Sequence, residues 1–126
     1  MRPPLVALLV AAAIALVACV DDGRPDEEAC RAPSVEIELA LDADSLTPSN
    51  PAVCGGQAVT LIIDSAVDGL IHIHGYDEAV PATEVQADEE LRLTFDADRT
   101  GEFPIELHPA DDPAGVSIGV FTVYEP

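Results

Sequence analysis

Apolar residues recur at every second position through four segments of this chain, and that period decides most of what it can become. Val35, Ile37, Leu39 and Leu41 alternate with Glu36, Glu38 and Ala40. Val59, Leu61 and Ile63 repeat the pattern, as do Leu91, Leu93 and Phe95, then Phe103, Ile105 and Leu107. Successive side chains of an extended chain point to opposite faces, so each segment reads as a strand with one face buried. A closing strand is expected from about Ile118 to Tyr124. The intervening clusters, from Leu46 to Pro51 and from Asp96 to Gly101, carry the Pro, Asn, Asp and Gly chemistry of turns; the second is read as a hairpin turn. No stretch holds a helical period and no internal repeat is visible. The expected fold class is all-β, a Greek-key β-sandwich or partly closed barrel.

The N-terminal segment obeys different rules. Arg2 precedes an uninterrupted apolar stretch from Leu5 to Ala18, and Leu16-Val17-Ala18-Cys19 reads as a bacterial lipobox. The stretch is shorter than the roughly 20 residues a membrane span needs. Residues 1–18 are therefore expected to be a cleaved lipoprotein signal, with Cys19 as the lipid acceptor. The plainer alternative is an ordinary secretory signal in which Cys19 is incidental. From residue 19 to residue 33 the chain is acidic, proline-punctuated and poor in apolar residues, which predicts a flexible tether. The folded domain is then 34–126. This reading places the protein outside the cytoplasm, lipid-anchored at the cell membrane or outer membrane, within reach of envelope proteins. Val20 after the cysteine is not an inner-membrane retention signal of the aspartate kind.

With Cys19 set aside, Cys30 and Cys54 form an even pair, and in an oxidising compartment a disulfide between them is the expected outcome. Two free thiols acting as soft metal ligands are the alternative. The chain carries a net charge of −19 and has no lysine. Such a surface repels phosphate backbones and anionic headgroups, so nucleic acid is not an expected partner and membrane association is left to acyl chains. The acidity serves solubility on one reading and attracts cations on another.

Two patterns look catalytic and are not. Gly115-Val116-Ser117-Ile118-Gly119 spells a nucleophile elbow, but that motif requires a following helix and a downstream histidine, and this chain has neither. Asp96-Ala97-Asp98 opens like a calcium loop, yet Leu107 stands where the twelfth-position glutamate belongs. With no nucleophile–base pair in view, an enzyme is not expected.

The three histidines carry the remaining chemistry. In Leu70-Ile71-His72-Ile73-His74-Gly75, alternation sends His72 and His74 to one side and Ile71 and Ile73 to the other. Such a pair on a strand can chelate zinc or copper. It also describes two solvated surface histidines. His108 ends another strand, beside Pro109.

From about Gln57 to Glu125 the chain resembles a cupredoxin domain, and His72-Ile73-His74-Gly75-Tyr76-Asp77 resembles a segment of small bacterial cupredoxin-like proteins. His74 falls where cupredoxins place a histidine ligand after a central strand. The run from Thr94 to His108 is similar to their penultimate-strand signature, and the run from Ile118 to Val123 to their final strand. The position of the copper cysteine falls on Leu107, and that of the axial methionine near Ser117. The only methionine, Met1, belongs to the leader, and Cys30 and Cys54 precede the histidines instead of following them. A blue-copper centre needs a thiolate and two imidazoles, so the resemblance implies the fold without that centre. Two readings of function follow. In one, His72, His74 and His108, with Glu106 or Asp77 as an oxygen ligand, hold Cu(II) or another transition-metal ion. In the other, the sandwich is a metal-free interaction or structural module at the cell envelope.

Overall fold

Alternating burial along the strands sets the architecture of the computed structural model, which describes residues 23–112 and 114–126. The proposed signal segment and Cys19 lie outside the described residues. A short helix, α1 (Glu27–Arg31), precedes β1 (Ser34–Leu41), β2 (Leu46–Thr47), β3 (Ala52–Cys54) and β4 (Ala58–Ser65). There follow β5 (Gly69–Ile73), β6 (Thr83–Val85), β7 (Glu89–Asp96), β8 (Gly101–Pro109) and β9 (Val116–Tyr124). One sheet runs β2-β1-β4-β7 and the other β3-β9-β8-β5-β6. β1 pairs parallel with β4, and β3 parallel with β9; the remaining pairs are antiparallel. No helix among the described residues is long and apolar enough to cross a membrane.

The core is the space between the two sheets. Leu39, Leu41, Leu61 and Ile63 face inward from the first sheet, and Ile71, Ile73, Ile105, Leu107 and Phe121 from the second. Each such side chain, fully buried, contributes about 1.5–3 kcal/mol of transfer free energy. Tyr76, Phe95, Phe103 and Phe121 cluster with ring centroids 4.7–5.9 Å apart, mostly edge to face. The Tyr76 hydroxyl donates to the Arg99 carbonyl at 2.8 Å and accepts from the Arg99 amide at 3.1 Å. Burial pushes its phenol above the usual tyrosine value.

Three expectations need correction. The segment from Asp96 to Gly101 is no hairpin, because β7 and β8 belong to different sheets. It is a corner between layers, held by the Ala97 amide on the Gln57 carbonyl and by Tyr76 on Arg99. The turn cluster after Leu41 contains β2, whose two residues pair back onto β1. The acidic tether gives way to structure before residue 33: Asp26 caps α1 by accepting from the Ala29 amide at 2.7 Å.

No residue of α1 is buried, so apolar burial does not hold it. Cys30 and Cys54 are disulfide-bonded with Cα atoms 5.3 Å apart. Gln57, 4% exposed, completes the attachment. Its amide nitrogen donates to the carbonyls of Ala29 at 2.9 Å and Ala32 at 2.8 Å, and its oxygen accepts from the Cys54 amide at 2.8 Å. One side chain thus satisfies carbonyls at the end of a helix and a buried N–H in the adjoining turn.

α1 and the β3–β4 turn sit at one end of the sandwich, where β1 and β4 begin. Asp68 and the residues after Pro109 sit at the other, where Ala110 donates to the Asp68 carbonyl. β1, eight residues long, spans most of the distance, about 25 Å at the rise of an extended chain.

Candidate metal centre

The antiparallel register of β5 and β8 builds the site. It sets His72 opposite Glu106 and Leu70 opposite His108, and the chain after β5 continues the pairing with the His74 amide on the Pro104 carbonyl at 2.9 Å. On these strands Ile71, Ile73, Ile105 and Leu107 are in the core. Strict alternation therefore places His72, His74, Glu106 and His108 together on the outer face of the five-stranded sheet. The donors lie on the sheet face because all four alternate with core residues.

Nε2 of all three histidines points at one carboxylate oxygen. Glu106 Oε2 lies 2.5 Å from His74 Nε2, 3.0 Å from His72 Nε2 and 3.7 Å from His108 Nε2. His72 Nε2 and His108 Nε2 are 3.1 Å apart, from residues 36 apart in the chain. The rings of His72 and His108 are stacked at 5.2 Å, while His74 meets His72 edge-on at 4.6 Å. Hydrogen bonding from His74, reinforced by the neighbouring imidazoles and opposed by desolvation, holds the Glu106 carboxyl below the usual carboxylate range.

Donors about 2.0–2.1 Å from a common ion stand roughly 3.3 Å apart in a tetrahedron and about 2.9 Å apart at adjacent corners of a square. The separations of 3.0, 3.1 and 3.7 Å match such a shell. His74, hydrogen-bonded to Glu106 at 2.5 Å, is not in one group with Glu106 and His108, so a shell that includes all four donors requires its imidazole to move. Two overlapping groups could hold a metal: His72 with Glu106 and His108, and His72 with His74 and Asp77. Asp77 is peripheral. Its Oδ1 stands 3.9 Å from His72 Nδ1, and its Oδ2 accepts from the Gly75 amide at 3.2 Å.

Glycines at two places shape the site, and sequence reasoning assigned neither. Gly75, at φ +92°, turns the chain out of β5 after His74, and a Cβ there would stand 2.6 Å from the Phe103 ring. A Cβ on Gly115 would meet His108 Cε1 at 2.6 Å and Nε2 at 3.0 Å. The imidazole therefore rests on bare backbone.

The donor set is nitrogen and oxygen only. Leu107, at the expected cysteine position, is fully buried on the opposite side of the sheet from the histidines. Ser117, at the expected methionine position, is exposed, and the thiols of Cys30 and Cys54 are consumed by their disulfide. These residues do not fit a copper–thiolate centre. They fit an ion that accepts imidazole and carboxylate.

No protein-family model and no curated protein matches this chain. Among solved structures it is similar to a copper binding protein in the apo form, with 14% identity and a TM-score of 0.56 over 74% of this chain and 90% of that one. It is also similar to auracyanin of Roseiflexus castenholzii, with 22% identity and a TM-score of 0.52 over 73% of this chain and 98% of that one. A multicopper oxidase matches with 19% identity and a TM-score of 0.55 over 73% of this chain, which spans only 42% of the oxidase. Identities this low speak to architecture alone. The two mixed sheets, their strand order and these likenesses together identify the fold as cupredoxin-like.

Proposed function

We propose that this protein is a lipid-anchored, extracytoplasmic metal-binding protein that holds Cu(II), or a divalent ion of similar preference, through His72, His74, His108 and Glu106. The observation that carries the reading is the convergence of three Nε2 atoms on Glu106 Oε2. Imidazole suits copper, and copper outcompetes other first-row divalent ions at nitrogen-rich sites. The copper binding protein and the multicopper oxidase among the structural neighbours support the same choice. The anchor rests on the Leu16-Val17-Ala18-Cys19 sequence.

The role is that of a carrier or store and not of a catalyst, since all four donors come from the protein and no nucleophile–base pair adjoins them. Without metal, the Glu106 carboxylate is hydrogen-bonded to His74 and lies beside the nitrogens of His72 and His108. Imidazole and carboxylate bind a metal only when deprotonated, so uptake would compete with protons and weaken as the solution becomes acidic.

Calorimetric titration of the chain with Cu(II) at neutral pH tests this. Binding should be lost in the double variant His72→Ala/His74→Ala and weakened in His108→Ala. The copper complex should lack the intense charge-transfer band of a copper–thiolate bond. Absence of uptake would favour the metal-free interaction module, and uptake that survives the double variant would refute binding at these histidines.

A further inference from the structure

Beside His108 the outer face of the sheet falls into an open hollow of about 560 Å³ at the end of the sandwich remote from α1. Its walls include Leu70, Pro109 and Ala110, and Leu70 is the one large hydrophobic residue exposed among the described residues, at 44%. A second hollow of about 440 Å³ adjoins it across Pro109 and Ala110, walled by Ala43, Ala66, Val67 and Ala87. The two make a saddle with an apolar floor.

The rim is acidic. Glu84 and Asp112 border the first hollow, and Asp68 and Asp111 border both. The Asp68 carboxylate already accepts from the Ala87 amide at 2.8 Å, and that of Asp112 from the Ala114 amide at 2.9 Å, which fixes both in place. None of the arginines among the described residues lines either hollow. Among the described residues the rim's charge therefore meets no arginine within the saddle.

We propose that this saddle is a docking surface for a basic partner protein that presents an arginine or lysine beside an apolar side chain. An apolar centre inside a charged rim is the anatomy of a protein interface. The hollows are open, whereas a small-molecule site encloses most of its ligand. A protein surface is the occupant that fits. The rim's field, added to a net charge of −19, favours encounter with a basic surface and sets its orientation. Because His108 lines the hollow and also faces Glu106, a docked partner would sit against the metal-binding cluster. This partner role rests on the metal-carrier reading; the docking surface itself does not.

The probe is a fluorescent peptide, Gly-Arg-Leu-Arg-Gly, with Gly-Glu-Leu-Glu-Gly as its control, titrated with the full-length chain by polarisation, metal-free under chelator and again with Cu(II). The basic peptide should bind in both states and the acidic one should not. Leu70→Ser should weaken binding roughly threefold or more, and Glu84→Gln with Asp111→Asn roughly fivefold, the scale of rim charges and a partly exposed anchor. The charge-matched control Glu36→Gln with Asp98→Asn, away from the saddle, should leave it unchanged. Equal weakening by both double variants would mean attraction to bulk charge, and with absence of binding it would overturn the proposal. Copper calorimetry on the wild-type chain separates the two ideas: copper uptake without any binding of the basic peptide removes the docking surface and leaves the metal site standing.

Discussion

Gly115 lies against the His108 imidazole so closely that a single added methyl group would stand 2.6 Å from the ring. The backbone φ there is not in the left-handed region, so the glycine is required by proximity and not by conformation. Gly115→Ala should push His108 away from His72 and Glu106. Copper affinity should fall about tenfold, and in a His108→Ala background the same change should have no further effect. Calorimetry on the four combinations measures this; an equal loss in both backgrounds would place the effect in the loop and not in the ligand.

Glu106 gives the metal-free protein a defined pH dependence. Its carboxyl titrates below the usual value of 4.5 in the folded state, because His74 donates to it and the other imidazoles lie near. A group with a depressed folded value stabilises above its unfolded value and loses that contribution as pH falls through the folded one. The stability advantage of the wild type over Glu106→Gln should therefore be greatest near neutrality and shrink toward zero in acid. Thermal melts of both proteins from pH 7 to pH 3, under chelator, should show the two curves converging.

Gln57 and the disulfide make separable contributions at the opposite end. Bridging residues 24 apart should contribute roughly 3 kcal/mol by the chain-entropy model. Gln57→Ala leaves the Cys54 amide and two carbonyls without their partner and should cost about 1–3 kcal/mol. Urea unfolding of Gln57→Ala and of Cys30→Ser/Cys54→Ser checks both figures. Alkylation of the native wild type should label neither of the two bonded cysteines.

Cys19→Ser should move the protein from the membrane fraction to the soluble one, and metabolic labelling with a fatty-acid analogue should disappear with it. Retention of the variant in the membrane fraction would mean that the lipobox reading is wrong.

Much of the fold was legible because β1, β4, β7 and β8 each keep a period of two over at least five residues, long enough to separate a buried face from a solvated one. β3 and β6 have three residues each, too few to show a period. α1 escaped notice because its attachment is covalent and amide-mediated, and neither leaves an apolar trace. Alternation along one strand was enough to put His72 and His74 on one side. It could not say which residue of β8 would stand opposite them, because register depends on partner strands. Glu106 and Asp77 were equivalent in the sequence; the pairing of His72 with Glu106 made the first central and left the second at 3.9 Å. Gly115 carried no signal at all, since what matters there is an absent side chain.

The distance between α1 and the saddle gives the molecule a direction. Residues 24–33 join the sandwich at one end, where Arg24 stacks on Tyr124 and Cys30 is locked to Cys54. The strands then carry the chain about 25 Å to the far end. The first described residues thus lie at the disulfide end of the sandwich, and the hollow beside His108 lies at the opposite end. The staple at Cys30 sets the end from which the chain enters the domain, and that end is the one remote from His108.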